Sequence, residues 1–385
     1  MKKVGFVINF NKNSWLGGYN YFYNLFKFYT FAKKKKILPV IITDDEKKVS
    51  ELVKEFNFQV ISSKYFSNSN TSIRILNKLL VFFFKKNFLI DEILKKNEIL
   101  AVSHNLSLGR NSAVKSFPWF PDFQEINLPQ NFSLKMKLMR KLNIFFAIKH
   151  STKIIISSHG VKSDLKKISK KAFEKSKVIK HCIYLPPKKK LLSRNKLLKK
   201  YNIKDNYFIL PNHYWKHKNH IIVLKALKEL KKFNKKLNFN IISSGNFEDR
   251  RDKSHSLHIK DFIKKNSLSK NYIILGIIPF EDLIGLIYYS KGLINPSKSE
   301  GWSNSVEQAK EMNKRIILSD ISIHREQETK NFYFFKPDDH IKLSKHLKDL
   351  VKKPIKRDYI NSLKSLKKKQ TEYYNNYQNF FLKYI

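Results

Sequence analysis

Glu300 lies in the run Leu293–Glu328, LINPSKSEGWSNSVEQAKEMNKRIILSDISIHREQE, on a polar turn between an apolar segment and a helical one. Gly292 to Asn295 read as the end of a strand, Pro296 stops it, and Ser297 to Asn304 hold turn formers without helical period. A helix is expected from near Ser305, where Ser305 and Gln308 have capping-box spacing, through Ala309 and Met312 to Asn313. Arg315 to Leu318 then form the next strand. Free N–H groups at the turn and helix start attract phosphate, with the positive end of the helix dipole behind them. A carboxylate at Glu300 accepts hydrogen bonds from hydroxyls, so together they suit a phosphorylated, hydroxylated ligand. A solvated loop acid is the alternative for Glu300 on spacing alone.

The same residues resemble the donor-binding signature of the retaining GT-B glycosyltransferases of group 1, which include bacterial mannosyl- and glucosyltransferases. Glu300, Gly301 and Trp302 match its opening, and Gln308, with Glu307 just before it, stands where the family has a second glutamate. The resemblance implies that Glu300 faces the donor sugar, that Asn304 and Ser305 offer phosphate contacts, and that Gln308 or Glu307 meets the ribose. An amide holds a diol without the charge that strengthens such bonds. Lys218, in LPNHYWKHKNH from Leu210 to His220, matches the family lysine that neutralises the donor diphosphate. His213 falls where an arginine is usual, with Lys216 a possible substitute. Gly17 and Gly18 match a Gly-Gly pair placed between donor phosphate and acceptor. The loop after Phe117 resembles the acceptor side, and it lacks the histidine common in relatives; Glu125, Asp122 or His104 are the residues that could take its place. The resemblance therefore implies Glu300, Lys218 and Glu125 as catalytic residues and a nucleotide diphosphate sugar as co-substrate, with no cofactor.

The elements that must position these residues alternate. Lys3–Asn9 reads as a strand, Tyr19–Phe31 as a helix and Leu38–Thr43 as a second strand, the start of a doubly wound α/β sheet. Val60–Ser62, Ile99–Ser103, Ser116–Phe120, Lys153–Ser157 and Val178–Tyr184 read as further strands. A second half restarts at Tyr207–Leu210 and continues with the helix Ile221–Phe233 and the strands Phe239–Ser243 and Tyr272–Leu275. Two Rossmann-like domains over residues 1–187 and 196–358 are expected; the resemblance implies that they form a GT-B fold facing a cleft and that a terminal helix over 359–385 crosses back to the first.

Composition narrows the function classes. The 385 residues are 42% hydrophobic, enough for two cores. A single cysteine, Cys182, excludes an internal disulfide and any cysteine-based metal cluster, and no apolar run reaches the roughly 18–20 residues of a spanning helix. Cytoplasmic localisation is expected. The net charge is +46, but lysine supplies 68 of the 77 cations and is spread along the whole chain, which disfavours a nucleic-acid reader and favours attraction to an anionic membrane surface. Two basic, apolar stretches, Asn77–Leu94 and Leu134–His150, are candidates for that contact, although packing into the first domain's core is the stronger expectation. There is no Asp-x-Asp triplet, phosphate loop or nucleophile elbow, so no metal is implied and kinase and hydrolase readings lose support. The leading expectation is a hexosyltransferase acting from a nucleotide sugar, GDP-mannose for preference, on a glycan or lipid-linked acceptor with retention. The alternative is a non-catalytic sugar-nucleotide or glycan-binding scaffold of the same fold.

Overall fold

A computed structural model of the chain describes residues 1–12, 14–104, 108–248, 252–355 and 359–385. It divides into two compact units, one formed by Met1–Cys182 with Lys368–Ile385, the other by Ile183–Lys367.

In the first unit, β1 (Lys2–Val7), β2 (Ile37–Thr43), β3 (Val60–Ser62), β4 (Ile99–Ser103) and β5 (Lys115–Phe117) form a parallel sheet in the order β3-β2-β1-β4-β5. A second parallel sheet follows in the order β6 (Trp119–Phe120), β7 (Ile154–Ile156), β8 (Ser176–Val178). The single strand expected over Ser116–Phe120 is thus two strands in different sheets. Pro118 lies at the break, and its missing N–H cannot extend a ladder. Near-continuous apolar runs such as Val40–Ile42 and Ile154–Ile156 are fully buried, as strands of a parallel sheet covered on both faces must be. The last strand expected in this half is shorter and earlier than Val178–Tyr184, ending at Val178.

The helix Leu16–Phe31 contains Gly17 and Gly18 in its first turn rather than in a loop before it. A Cβ at Gly18 would come within 2.5 Å of the Trp15 ring, so the small residue there makes room for that indole. The terminal helix Ile360–Leu382 contributes its part from Lys368 onward to this unit. There Tyr377 stacks on Phe6 and its hydroxyl lies 3.2 Å from that of Tyr21. Phe381 packs on Phe117, while Gln378 accepts the Lys36 N–H at 3.0 Å and donates to the Lys34 carbonyl at 3.1 Å. The stretches 77–94 and 134–150 only partly join the core. Leu80, Val81, Ile90, Leu94, Ile144 and Ala147 are buried, whereas the opposite faces of the helices Thr71–Phe84 and Leu134–His150 remain exposed and apolar.

In the second unit, β9 (Tyr207–Leu210), β10 (Asn240–Ser243), β11 (Tyr272–Ile274), β12 (Gly292–Asn295), β13 (Ile316–Ser319) and β14 (Phe332–Phe335) form one parallel sheet in the order β11-β10-β9-β12-β13-β14. This is the doubly wound order, in which the chain first builds outward on one side of β9 and then returns to the other. Crossovers above β9 and β12 therefore diverge, and the strand ends between them open a crevice. Phe208, Leu210, Ile241, Ile294 and Ile317 are buried in the core beside the sheet, with Val223, Leu227 and Leu230 of the helix His220–Phe233.

Gly245, just past β10, has φ +144°, and a Cβ there would lie 2.6 Å from the Asn212 carbonyl oxygen. It lets the loops after β9 and β10 touch. Gly245→Ala is expected to lower unfolding stability by about 2–4 kcal/mol through combined strain and steric conflict, measured as a fall in the urea midpoint of the full chain.

Candidate functional site

The loop after β9 carries Lys218, and buried polar contacts fix its course. Tyr214 stacks on His220 with ring centroids 3.9 Å apart, and its hydroxyl lies 2.6 Å from Ser243 Oγ. His220 Nε2 is 3.2 Å from the His213 carbonyl and Nδ1 is 2.8 Å from the Tyr272 hydroxyl, so the imidazole donates on one side and accepts on the other. Asn219, with φ +56°, donates to the carbonyls of Pro296 (3.1 Å) and Pro337 (2.8 Å). The Lys298 N–H donates to the His217 carbonyl at 2.8 Å. These bonds lock the loop after β9 to the loop after β12, with Lys218 between two anchored neighbours.

Across that junction Lys218 Nζ meets Glu300 Oε1 at 2.6 Å, with side chains 14% and 8% exposed. Burial pushes the Glu300 carboxyl up, but the Lys218 ammonium beside it and the hydroxyl of Ser297 outweigh this and hold it at about 2. Glu300 is therefore a carboxylate, an acceptor and not an acid, throughout the neutral range. Asn295, the last residue of β12, organises the turn beneath it. Its Oδ1 accepts from Asn212 Nδ2 (2.9 Å) and Ser297 Oγ (2.7 Å), and its Nδ2 donates to Ser303 Oγ (2.9 Å).

The helix Asn304–Glu311 starts one residue earlier than expected. Ser303 is the N-cap, accepting the Val306 N–H at 3.4 Å, and Ser305 turns its hydroxyl to Ser303 instead of forming a box with Gln308. The first-turn N–H groups have no partner within the helix, and the Asn304 Oδ1 is buried without a hydrogen-bond partner. Gly301 is buried and Trp302 half-buried in the turn before them. Glu307 is committed to the protein, accepting from Lys310 and from Gln327, both at 2.8 Å. Among the described residues no hydrogen bond to the side-chain amide of Gln308 is found, although that residue is only 7% exposed, which separates the two candidates for a diol contact.

His213 does not supply a second cation. Its Nδ1 accepts the Asn246 N–H at 2.8 Å, and burial, with the nearby Lys218 charge, lowers it to about 4. Lys216 turns outward to Asp252 at 3.5 Å. One residue that sequence reasoning missed is His324, fully buried beyond β13. Its Nδ1–H donates to the Ser319 carbonyl at 2.8 Å, Ser319 Oγ in turn donates to the Ser297 carbonyl, and Nε2 has no partner. Burial lowers it to about 4 against the opposing pull of the Glu300 charge. Its position past the end of the strand next to β12 was the available signal.

The candidates in the first unit have other surroundings. Arg140 serves both acids, with Nε 2.7 Å from Glu125 Oε2 as an ion contact and NH2 3.2 Å from Asp122 Oδ1. Both carboxylates are thereby tied to a structural cation. His104, with φ +75° at the end of β4, sits among the rings of Phe22, Trp119 and Tyr21, and burial lowers it to about 3. Gly17 and Gly18 lie in the same unit. Among the described residues, no group of three or more His, Cys, Asp or Glu is placed to hold a metal.

Residues 193–367 match the sequence model of the family described as Glycosyl transferases group 1. A similar protein is the O-antigen chain mannosyltransferase RfbU of Salmonella typhimurium, 23% identical over 261 residues. The match covers 67% of this chain and 66% of the relative, a little under two thirds of that protein's length. Among solved structures, Anabaena Alr3699/HepE in complex with UDP and glucose superposes with a TM-score of 0.69 at 13% identity, covering 98% of this chain and 95% of that one. A glycosyltransferase from Rickettsia africae gives 0.64 at 17% identity, with 97% and 93% covered. The lipopolysaccharide outer core galactosyltransferase WaaB gives 0.62 at 15% identity over the full length of both chains. These likenesses show the GT-B fold.

Removing one partner of the buried pair strands the other's charge. Lys218→Met is expected to lower unfolding stability by about 3–5 kcal/mol, and adding Glu300→Gln is expected to restore part of that loss, in urea melts of the single and double variants. Stability should also fall with acid in two stages. His213 and His324 drop from an ordinary 6.5 to about 4 on folding, so the unfolded chain binds more protons between those values. Glu300, at about 2 against an ordinary 4.5, adds stability above its unfolded value that disappears as pH falls toward 2. Urea midpoints that fall from pH 7 to 4.5, with a smaller fall for His324→Gln, are the expected outcome.

Proposed function

We propose, for a chain whose residues 193–367 match the group 1 glycosyltransferases, a hexosyltransferase that moves a sugar from a nucleotide diphosphate donor to a glycan or lipid-linked acceptor in lipopolysaccharide or O-antigen-type synthesis. The observation that carries this reading is the Lys218–Glu300 pair at the β9/β12 switch point, beside the start of the helix Asn304–Glu311, whose first N–H groups have no partner within the helix. A donor diphosphate competes with Glu300 for Lys218 and takes the N–H groups at Asn304 and Ser305. Glu300, freed of its partner, accepts from the hydroxyls of the sugar. Gln308 is the residue for the ribose, because Glu307 is held by Lys310 and Gln327.

Lys218 and the helix start then face the charge that grows on the leaving diphosphate, fixed in place before reaction and partly shielded from water. In the retaining route the sugar's C1–O bond to phosphate breaks as the acceptor oxygen bonds to C1 on the same face. The acceptor proton passes to the departing phosphate oxygen. Lysine and N–H groups stabilise that oxygen, so a metal ion is not required. GDP-mannose is the first donor to test, in line with the mannosyltransferase relative, and UDP-glucose the second, in line with the HepE complex. Peripheral contact with the inner face of the cytoplasmic membrane belongs to this reading, since a lipid-linked acceptor is held there.

The second reading, a sugar-nucleotide-binding scaffold, is favoured by the neutral His213 and by glutamine at 308. Turnover separates the two. Hydrolysis or transfer from a panel of GDP- and UDP-sugars, with chelator present, is expected for the parent, and a loss of about 10²–10³ in kcat/KM for Lys218→Ala and for Glu300→Gln. Donor binding without turnover in the parent would establish the scaffold instead.

A further inference from the structure

The first unit carries a surface that its core does not account for. On the helix Thr71–Phe84, Ile75, Leu79, Phe82 and Phe83 recur at helical spacing and all point out, opposite the buried Asn77, Leu80 and Val81. Phe83 and Phe84 are 66% and 61% exposed, and Phe88 opens the next helix in the same condition. On the helix Leu134–His150, Leu134, Leu138, Leu142 and Phe145 make a second exposed stripe. The two helices adjoin: Lys78 donates to Asn143 Oδ1 at 3.0 Å, and its ammonium lies 5.4 Å from the Phe146 ring. A soluble helix ordinarily gives its outer face to charge, and contiguous exposed rings mark a surface that something covers.

Electrostatics selects what covers it. Neither helix has an acidic residue, and besides Arg140, which pairs with Asp122 and Glu125, they hold Arg74, Lys78, Lys135, Lys137, Lys141 and Lys149. Lys85 sits 5.3 Å from the Phe82 ring and Lys149 5.6 Å from Phe145, so cations stand directly over exposed rings. His150, at the end of the second helix, is lowered first by burial and then by the nearby cations Lys149, Lys85, Arg110 and Lys175. A second copy with net charge +46 would meet this face with repulsion. A bilayer containing anionic headgroups takes the rings into its interface and the lysines into its negative layer, with the lysine stems lying along the apolar surface.

We propose that the exposed faces of the helices Thr71–Phe84 and Leu134–His150 form the surface by which this protein binds an anionic phospholipid membrane, with Phe82, Phe83 and Phe84 entering the interface. This deepens the peripheral placement proposed above, and it gives the first unit a role that does not depend on donor chemistry. Ring insertion supplies the part of the binding that salt does not screen, and the lysines supply the preference for anionic lipid.

The test is flotation of the full chain with vesicles of phosphatidylcholine alone and of phosphatidylcholine with about 30% phosphatidylglycerol, at low and high salt. The parent is expected to float with the anionic vesicles, to retain part of its binding at high salt, and to stay behind with the neutral ones. Phe83→Ser with Phe84→Ser should weaken partitioning by about tenfold or more while circular dichroism and monomer size are unchanged. Lys135→Glu with Lys141→Glu should weaken it at low salt and much less at high salt. No flotation of the parent, or equal flotation of parent and serine variant, overturns the proposal. So does a parent dimer that the serine variant dissolves, which would make the face a contact between copies. Donor turnover is measured alongside: if it is absent while flotation behaves as expected, the transferase reading fails and the membrane surface stands.

Discussion

A buried ammonium and carboxylate 2.6 Å apart hold the second unit's functional edge together. Neither charge is stable alone at that depth, so the surrounding loops must deliver both to within a few tenths of an ångström. The doubly wound strand order makes this possible by placing the ends of β9 and β12 side by side with their crossovers leading away. Asn219, Asn295 and the stacked pair of Tyr214 and His220 then convert two loops into one fixed surface. Groups held by such a network do not need to reorganise as charge develops near them, which is the condition for electrostatic stabilisation.

Several titratable groups around this pair are kept neutral. His213, His220 and His324 are all lowered by burial, and each spends a ring nitrogen on a backbone or hydroxyl partner. They shape the loops and leave Lys218 as the positive charge beside Glu300. His213, which stands where the resemblance expects an arginine, thus leaves that position without a charge. The proposed donor site therefore rests on Lys218 and on the N–H groups at the start of the helix Asn304–Glu311.

The large positive charge has a local as well as a global meaning. Spread over the chain, lysine makes copies of the protein repel one another. Concentrated without acids on two helices that expose phenylalanine and leucine, it becomes directional. The same residue type also closes ion pairs at buried carboxylates, at Glu300 and at Asp91, where Lys86 and Lys95 converge.

Alternation of apolar runs with helical segments sufficed to give parallel α/β sheets in both halves of the chain, and the turn carrying Glu300 between a strand end and a helix start was legible, because strand ends, prolines and turn formers are local signals. Local signals also misplaced things. Ser303 rather than Ser305 caps the helix, since Asn295 reaches across to fix it, and Pro118 divides what reads as one strand between two sheets. The role of Glu307 depended on Lys310 and on Gln327, which comes from beyond the next strand; His324 entered the picture only through Ser319 and Ser297. Residue type and spacing determined which groups could do chemistry here. Tertiary structure decided which of them are charged, which are already partnered, and which faces of two amphipathic helices are left to the solvent, because burial and long-range contacts set those properties and neither is written in neighbouring residues.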